Sequence, residues 1–146
     1  MNKKWDMDYL ALAEFWARLK SKDPSTQVGA VIVRPDKTIA SLGYNGFPKG
    51  IKDSEERLND RSLKYPRMIH AEMNAIIHAK EDLKGYTLYV WPLPTCDRCA
   101  TFIIEHGIKK VVVSCRPGNG RWITEIALAL EMYKEAGVEV MMYPGG

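Results

Sequence analysis

His70, Glu72, Cys96 and Cys99 are the residues whose types and spacing can do chemistry in this chain. They stand in two fragments, His70-Ala71-Glu72 and Pro94-Thr95-Cys96-Asp97-Arg98-Cys99. One imidazole and two thiolates form a three-ligand set for Zn2+. A tetrahedral ion held this way keeps its fourth position open, the pattern of catalytic rather than structural sites. Zinc in such a site lowers the pKa of water from ~15.7 toward ~7, so hydroxide becomes available at neutral pH. Glu72 lies two residues from His70, about 200° away around an ideal helix. The two are therefore not a same-face ligand pair. His70 is read as a ligand, and Glu72 as the proton carrier that faces water or substrate.

Other readings of these residues are weaker. C-x-x-C alone fits a redox pair or half of a structural zinc knuckle, but neither needs Glu72. A closed structural site needs a fourth ligand, and Cys115 is the candidate. It ends the run Val111-Val112-Val113-Ser114 and reads instead as a buried core thiol. His78 and His106 have no motif partner. His106 precedes Gly107 at a helix end, where a cation suits the dipole.

The elements that must position the four residues follow from periodicity and turn residues. Asp6 to Lys20 has helical spacing, with Asp6 as a plausible N-cap and Leu10, Ala13, Trp16 and Ala17 on its apolar face. Val28–Val33 and Thr38–Gly43 read as a hairpin around Arg34-Pro35-Asp36-Lys37. Residues 44–67 show little periodicity and much charge. A helix is predicted from about His70 to Glu81, a strand over Tyr86–Trp91, a helix over Cys96–Glu105 and a strand over Lys110–Ser114. A last helix spans Trp122–Ala136, stopped by Gly137, and Val138–Met142 is the last strand. Strands linked by helices imply parallel pairing and a three-layer α/β/α domain. Cys96 and Cys99, at i and i+3, face one side of a helix's first turn, where unpaired N–H groups favour thiolate. That turn lies at the carboxyl end of a strand, where open α/β sheets bind ligands.

At 146 residues the chain fits one domain, residues 1–146, with room for a core. Its net charge of +3 and lack of a basic run give no sign of a nucleic-acid partner. No apolar stretch approaches a membrane span, and the first residues lack a signal-peptide apolar region. Three cysteines, two of them in C-x-x-C, suit the reducing cytoplasm better than a disulfide framework.

H-x-E followed by P-x-C-x-x-C is close to the signature of zinc nucleobase deaminases. Further segments sharpen the likeness. They are Asp23-Pro24-Ser25-Thr26-Gln27-Val28-Gly29-Ala30, Gly43-Tyr44-Asn45-Gly46-Phe47-Pro48-Lys49-Gly50, Tyr65-Pro66 ahead of His70-Ala71-Glu72-Met73-Asn74-Ala75, Ile108-Lys109-Lys110-Val111 and Glu135-Ala136-Gly137-Val138. In this order, from about Tyr9 to Val140, they resemble the deoxycytidylate (dCMP) deaminases of the cytidine-deaminase superfamily. One difference is Thr95, which stands between the proline and the first cysteine.

The resemblance implies a three-layer α/β/α cytidine-deaminase-like fold with a five-stranded mixed sheet. It implies conversion of dCMP to dUMP and ammonia, self-association with a hexamer favoured, and regulation by dCTP and dTTP. It places Asn45 on the sugar 3′-hydroxyl and the Ala71 main-chain N–H on the base carbonyl. Phosphate falls to Ser25, Thr26 and a cation; Lys22 and Arg121 are candidates, although each reads first as a surface salt-bridge residue. A regulatory nucleoside triphosphate, with Mg2+ bridging it to a carboxylate, is expected against Gly43, Gly46, Phe47, Lys49 and Ile51. Trp91 and Trp122 either wall the pocket or pack the core. Zinc chemistry alone leaves other cytosine nucleotide or nucleoside deaminases open. A tRNA adenosine deaminase, or a zinc or nucleotide module without turnover, fits less well.

Overall fold

The computed structural model describes residues 3–115 and 123–145. The first helix, α1 (Lys3–Lys20), leads into the hairpin β1 (Gly29–Val33) and β2 (Ile39–Tyr44). Two short helices follow, α2 (Glu55–Asn59) and α3 (Arg61–Lys64), then a 3-10 turn over Tyr65–Arg67. The remainder alternates: α4 (Ala71–Ala79), β3 (Thr87–Trp91), α5 (Asp97–Glu105), β4 (Lys110–Cys115), α6 (Ile123–Ala136) and β5 (Glu139–Pro144).

The five strands form one sheet in the order β2-β1-β3-β4-β5. β1 is antiparallel to both neighbours, whereas β3, β4 and β5 run parallel. The sheet is therefore mixed. The connection through α4 carries the chain from β2 across β1 to β3, and the two later helices make the parallel crossovers.

Side-chain alternation builds both faces. Ala30, Ile32, Leu88, Val90, Val111 and Val113 pack with Ala71, Ala75 and Ile76 of α4, Cys99, Ala100 and Ile103 of α5, and Ala129 and Tyr133 of α6. Val31, Val33, Tyr89, Trp91 and Val112 pack on the other face against Tyr9, Leu10, Ala13 and Ala17 of α1. The layers are α1, the sheet, and α4–α5–α6. Covering on both faces accounts for the unbroken apolar runs in β1 and β4.

Asp6 corrects the expected N-cap. The helix starts at Lys3, and Asp6 is buried in its first turn. There it accepts hydrogen bonds from the hydroxyls of Tyr89 at 3.0 Å and Tyr143 at 2.8 Å. Two phenols from the sheet claim this carboxylate. Trp16 is only partly buried.

The stretch expected to be irregular contains two capped helices. Ser54 Oγ accepts from the Arg57 N–H, and Asp60 Oδ1 from the Ser62 N–H. Five- and four-residue helices are too short to print a period on the sequence, so only their cap residues marked them.

Gly43 is fixed by packing. A Cβ there would run into the Ala71 carbonyl and the Ala75 N–H, with the Ala75 Cβ 2.9 Å away. β2 and α4 can meet this closely only at a glycine. Ser41 Oγ to the Ala75 carbonyl at 2.7 Å and Asn74 Nδ2 to the Tyr44 carbonyl at 2.6 Å hold the same seam. Because α4 carries Glu72, Gly43→Ala is expected to destabilise the protein by about 1–3 kcal/mol through overpacking. Chemical denaturation should show the loss, and activity should fall with it.

Candidate metal and deaminase site

The site forms where the amino ends of α4 and α5 meet beside the carboxyl end of β3. His70 and Cys96 are both N-cap residues with extended backbone. His70 makes no side-chain cap bond, so its ring is available to turn toward the cysteines. Its Nδ1 lies 3.3 Å from Cys99 Sγ and 3.6 Å from Cys96 Sγ. The ligand atoms of these three residues all lie within 4.8 Å of one another, the only such metal-capable group of three or more among the described residues. The rotation of about 200° expected between His70 and Glu72 does not apply, because His70 precedes the helix. What separates them is the cap: His70 faces the sulfurs from outside, and Glu72 enters with the first turn.

The donor set fits a zinc ion: one borderline nitrogen, two soft sulfurs and no fourth protein ligand in the group. Cys96 Sγ accepts the Cys99 N–H at 3.5 Å, as an N-cap does. The Cys99 thiol, followed by the His70 ring, stabilises Cys96 as thiolate, down to about 4, despite partial burial. Cys99 is pushed strongly up by that same neighbour and by burial. The two thiols are thus driven in opposite directions by one another, and a bound metal would favour the thiolate of both. His70 is raised, first by its hydrogen bond with Cys96, against the opposing effect of burial.

Glu72 is 4% exposed. Burial raises its carboxyl to about 6, partly offset by His70 and by its own backbone N–H. A carboxyl near neutrality can both accept and return a proton at working pH.

The chain around Asn45 is built as a brace. Asn45 is buried, and its Oδ1 accepts from Ser21 Oγ at 2.7 Å and from the Val28 N–H at 2.9 Å. Its Nδ2 donates to the Thr26 carbonyl at 2.9 Å. Gly46 and Ile69 exchange both backbone hydrogen bonds, which anchors the residue directly before His70. The Ala71 N–H begins α4.

Ser25 and Thr26 lie on the loop after α1, where Asp23 Oδ1 accepts both of their N–H groups. The same oxygen meets Lys64 Nζ at 3.0 Å, with both side chains almost wholly buried. Lys64 Nζ is also 3.4 Å from Ser25 Oγ. Lys64 is thus the cation closest in role to the one sought there, missed because it lies 41 residues from Asp23. Lys22 instead meets Asp53 at 3.3 Å on the surface.

A cleft of about 540 Å³ runs along this loop, lined by Arg18, Ser21, Lys22, Ser25, Thr26 and Trp91 among others. Trp91 both lines it and packs in the core, with the Arg18 guanidinium 5.0 Å from its ring. A smaller cleft of about 110 Å³ is lined by Lys20, Lys22, Asn45, Gly46, Phe47 and Asp53. Neither cleft is lined by His70, Glu72, Cys96 or Cys99. Lys49 and Ile51 are exposed near the second cleft in sequence, whereas Gly43 is buried against α4. Arg121 and Trp122 lie outside the described residues.

The remaining candidates have local roles. His78 and His106 each place Nδ1 2.8 Å from the carbonyl four residues earlier. Cys115 ends β4, packed partly buried against the core and outside the three-residue metal-capable group.

Residues 3–115 match the model of the cytidine and deoxycytidylate deaminase zinc-binding region, and the chain belongs to that family. Over 146 residues it is 42% identical to an uncharacterized deaminase encoded 3′ of luxG in Aliivibrio fischeri, covering 99% of this chain and 97% of that protein. It is 41% identical over 115 residues to human deoxycytidylate deaminase, covering 75% of this chain and 64% of that protein. The chain thus spans under two thirds of the length of that human relative. Its fold matches the dCMP deaminase of cyanophage S-TIM5 in complex with dCMP and dUMP, with a TM-score of 0.76 and 25% identity over 98% of this chain and 99% of that one.

Proposed function

We propose that this chain is a zinc-dependent dCMP deaminase, a single catalytic domain that hydrolyses dCMP to dUMP and ammonia. The observation that carries the reading is the convergence of His70, Cys96 and Cys99 beside the buried Glu72. His70, Cys96 and Cys99 would hold the zinc, which when bound supplies the Lewis acidity that readies water at neutral pH. Glu72 accepts the proton of that water, delivers a proton to cytosine N3, and then carries one to the departing amine. The exocyclic nitrogen leaves as ammonia and a carbonyl replaces it.

The rest of the chain orients the nucleotide. The Ala71 N–H meets the base carbonyl, and Asn45 meets the sugar at the edge of its brace. Ser25 and Thr26 take the phosphate, with Lys64 as the supporting cation. The deoxycytidylate deaminases among the relatives support dCMP over other cytosine nucleotides. Metal analysis with a substrate panel tests this. Ammonia release should be fastest with dCMP and slow with dCTP, cytidine, guanine and tRNA adenosine. A preference for another member of the panel would replace dCMP, and zinc without turnover of any would leave a binding module.

The same reading includes regulation. The smaller cleft, lined by Lys20, Lys22, Gly46, Phe47 and Asp53, suits the triphosphate and Mg2+ of dCTP or dTTP, and the exposed Lys49 and Ile51 follow its Gly46-Phe47 wall in sequence. An effector must bind two conformations unequally to act. Lys49→Ala with Phe47→Ala should therefore blunt the response to both triphosphates more than it slows dCMP turnover. Unchanged activation and inhibition in that variant would place the effector elsewhere. Exposed Phe15 and Leu19 on α1, with Ile77 and Phe102 across the molecule, suit the self-association expected of a hexamer. The thiolate ligand set suits the reducing cytoplasm.

A further inference from the structure

Thr95 separates Pro94 from Cys96, and its side chain turns inward. It is 3% exposed, while Cys96 beside it is only partly buried. Thr95 Oγ1 lies 2.6 Å from the hydroxyl of Tyr133. Tyr133 comes from α6, is 1% exposed, and shares its core cluster with Cys99, Ala100 and Ile103 of α5. The bond joins residues 38 apart. It ties a helix without any of the three metal donors to the residue that leads the chain into the first thiolate.

The surroundings show what this bond faces. Two hydroxyls in one contact use one hydrogen and leave the other for a further acceptor. After burial and the bond to Thr95, the groups that act on the Tyr133 phenol are Glu72, Cys99 and Cys96. The pair reaches both cysteines by packing and by chain: Tyr133 shares a core cluster with Cys99, and Thr95 directly precedes Cys96. Cys96 leaves the Thr95 position to cap α5, and its sulfur must meet both the Cys99 N–H and the His70 ring. A displacement of about 1 Å at a reacting centre can cost about 100-fold in rate.

We infer that Thr95 and Tyr133 are a positioning pair for the metal site: α6 sets the path of residues 94–96, and with it the direction in which Cys96 presents its sulfur. This rests on the metal reading of His70, Cys96 and Cys99 and is independent of the substrate. It also gives Thr95, the residue inserted ahead of the cysteine motif, a defined task.

The test uses the full chain with Tyr133→Phe, Thr95→Val, both together, and Thr95→Ser. Removing one hydroxyl leaves the other buried without a partner, whereas replacing both with groups of like shape relieves that cost. Melting temperature should therefore fall in each single variant and recover in the double variant. Metal readouts should not recover. Zinc affinity in the double variant should stay roughly 10–100-fold weaker, as for lost outer-sphere partners. The absorption bands of the cobalt(II)-substituted protein should remain altered. Thr95→Ser, which keeps the hydroxyl, should match wild type in zinc affinity and cobalt bands. Wild-type zinc affinity and cobalt bands in the double variant would make the pair merely structural and overturn the inference. If the double variant does not fold, Tyr133→Phe decides: altered cobalt bands support positioning, and a wild-type spectrum overturns it. These readouts involve no nucleotide, so failure here is distinct from failure of the dCMP assignment.

Discussion

Cys96→Ser and Cys99→Ser should each lose zinc and deaminase activity together. The expected loss exceeds the roughly 10–100-fold that follows removal of an outer-sphere partner, because a primary donor is gone. A serine hydroxyl keeps the shape but does not ionise under conditions that leave Cys96 a thiolate. With one sulfur absent, His70 and the remaining cysteine supply two donors where a catalytic zinc needs three. The two variants should differ in stability. Cys99 is buried in the main core and Cys96 is only partly buried, so Cys99→Ser should also lower the melting temperature. Metal analysis should give about one zinc per chain for wild type and little for either variant. Full zinc content in both would overturn the ligand set.

The reasons this centre can be read from sequence are local. His70 and Glu72 lie within three residues, and Cys96 and Cys99 within four, so each half forms a short motif on one helix start. The strands are legible for a related reason: β1, β3 and β4 are apolar runs bounded by Gly, Pro or charge, and the structure buries them on both faces. Contacts that brace the site and tie the first helix to the sheet are not local. Asp23 meets Lys64 across 41 residues, Thr95 meets Tyr133 across 38, and Asp6 meets Tyr89 and Tyr143 across 83 and 137. No spacing rule links such pairs, since folding alone makes them neighbours. Gly43 shows a second limit. A glycine tolerated for nucleotide approach and one required by helix packing look the same in sequence, and only the position of α4 separates them. Asn45 likewise stands in the sequence only as one member of Gly43-Tyr44-Asn45-Gly46, and the hold of its amide on Ser21, Thr26 and Val28 emerges only in the fold.

Glu72→Gln should separate proton transfer from metal binding. Glutamine keeps the size of the side chain, and Glu72 lies outside the group of three donors, so zinc should remain at the wild-type level. The amide cannot take a proton from water or return one to the base, so the rate should fall by roughly 10²–10⁴-fold. The sign of the pH effect follows from burial. The carboxyl is raised to about 6 from an ordinary value of 4.5. It must be ionised to act as a base, so wild-type kcat/KM should carry an acid limb, displaced upward from the ordinary carboxylate range by burial, and the residual rate of the variant should lack that limb. Stability runs in the opposite direction. In chelator-treated protein the folded carboxyl holds its proton more tightly than the unfolded one. Its contribution is therefore fully present below 4.5 and is lost as pH rises through about 6. A neutral amide should escape that loss, leaving apo Glu72→Gln at least as stable as apo wild type at pH 7. The site thus keeps an ionisable group where a neutral one would be more stable, and proton transfer is the return for that strain. A Glu72→Gln enzyme that retains both zinc and full rate would assign the proton to another group.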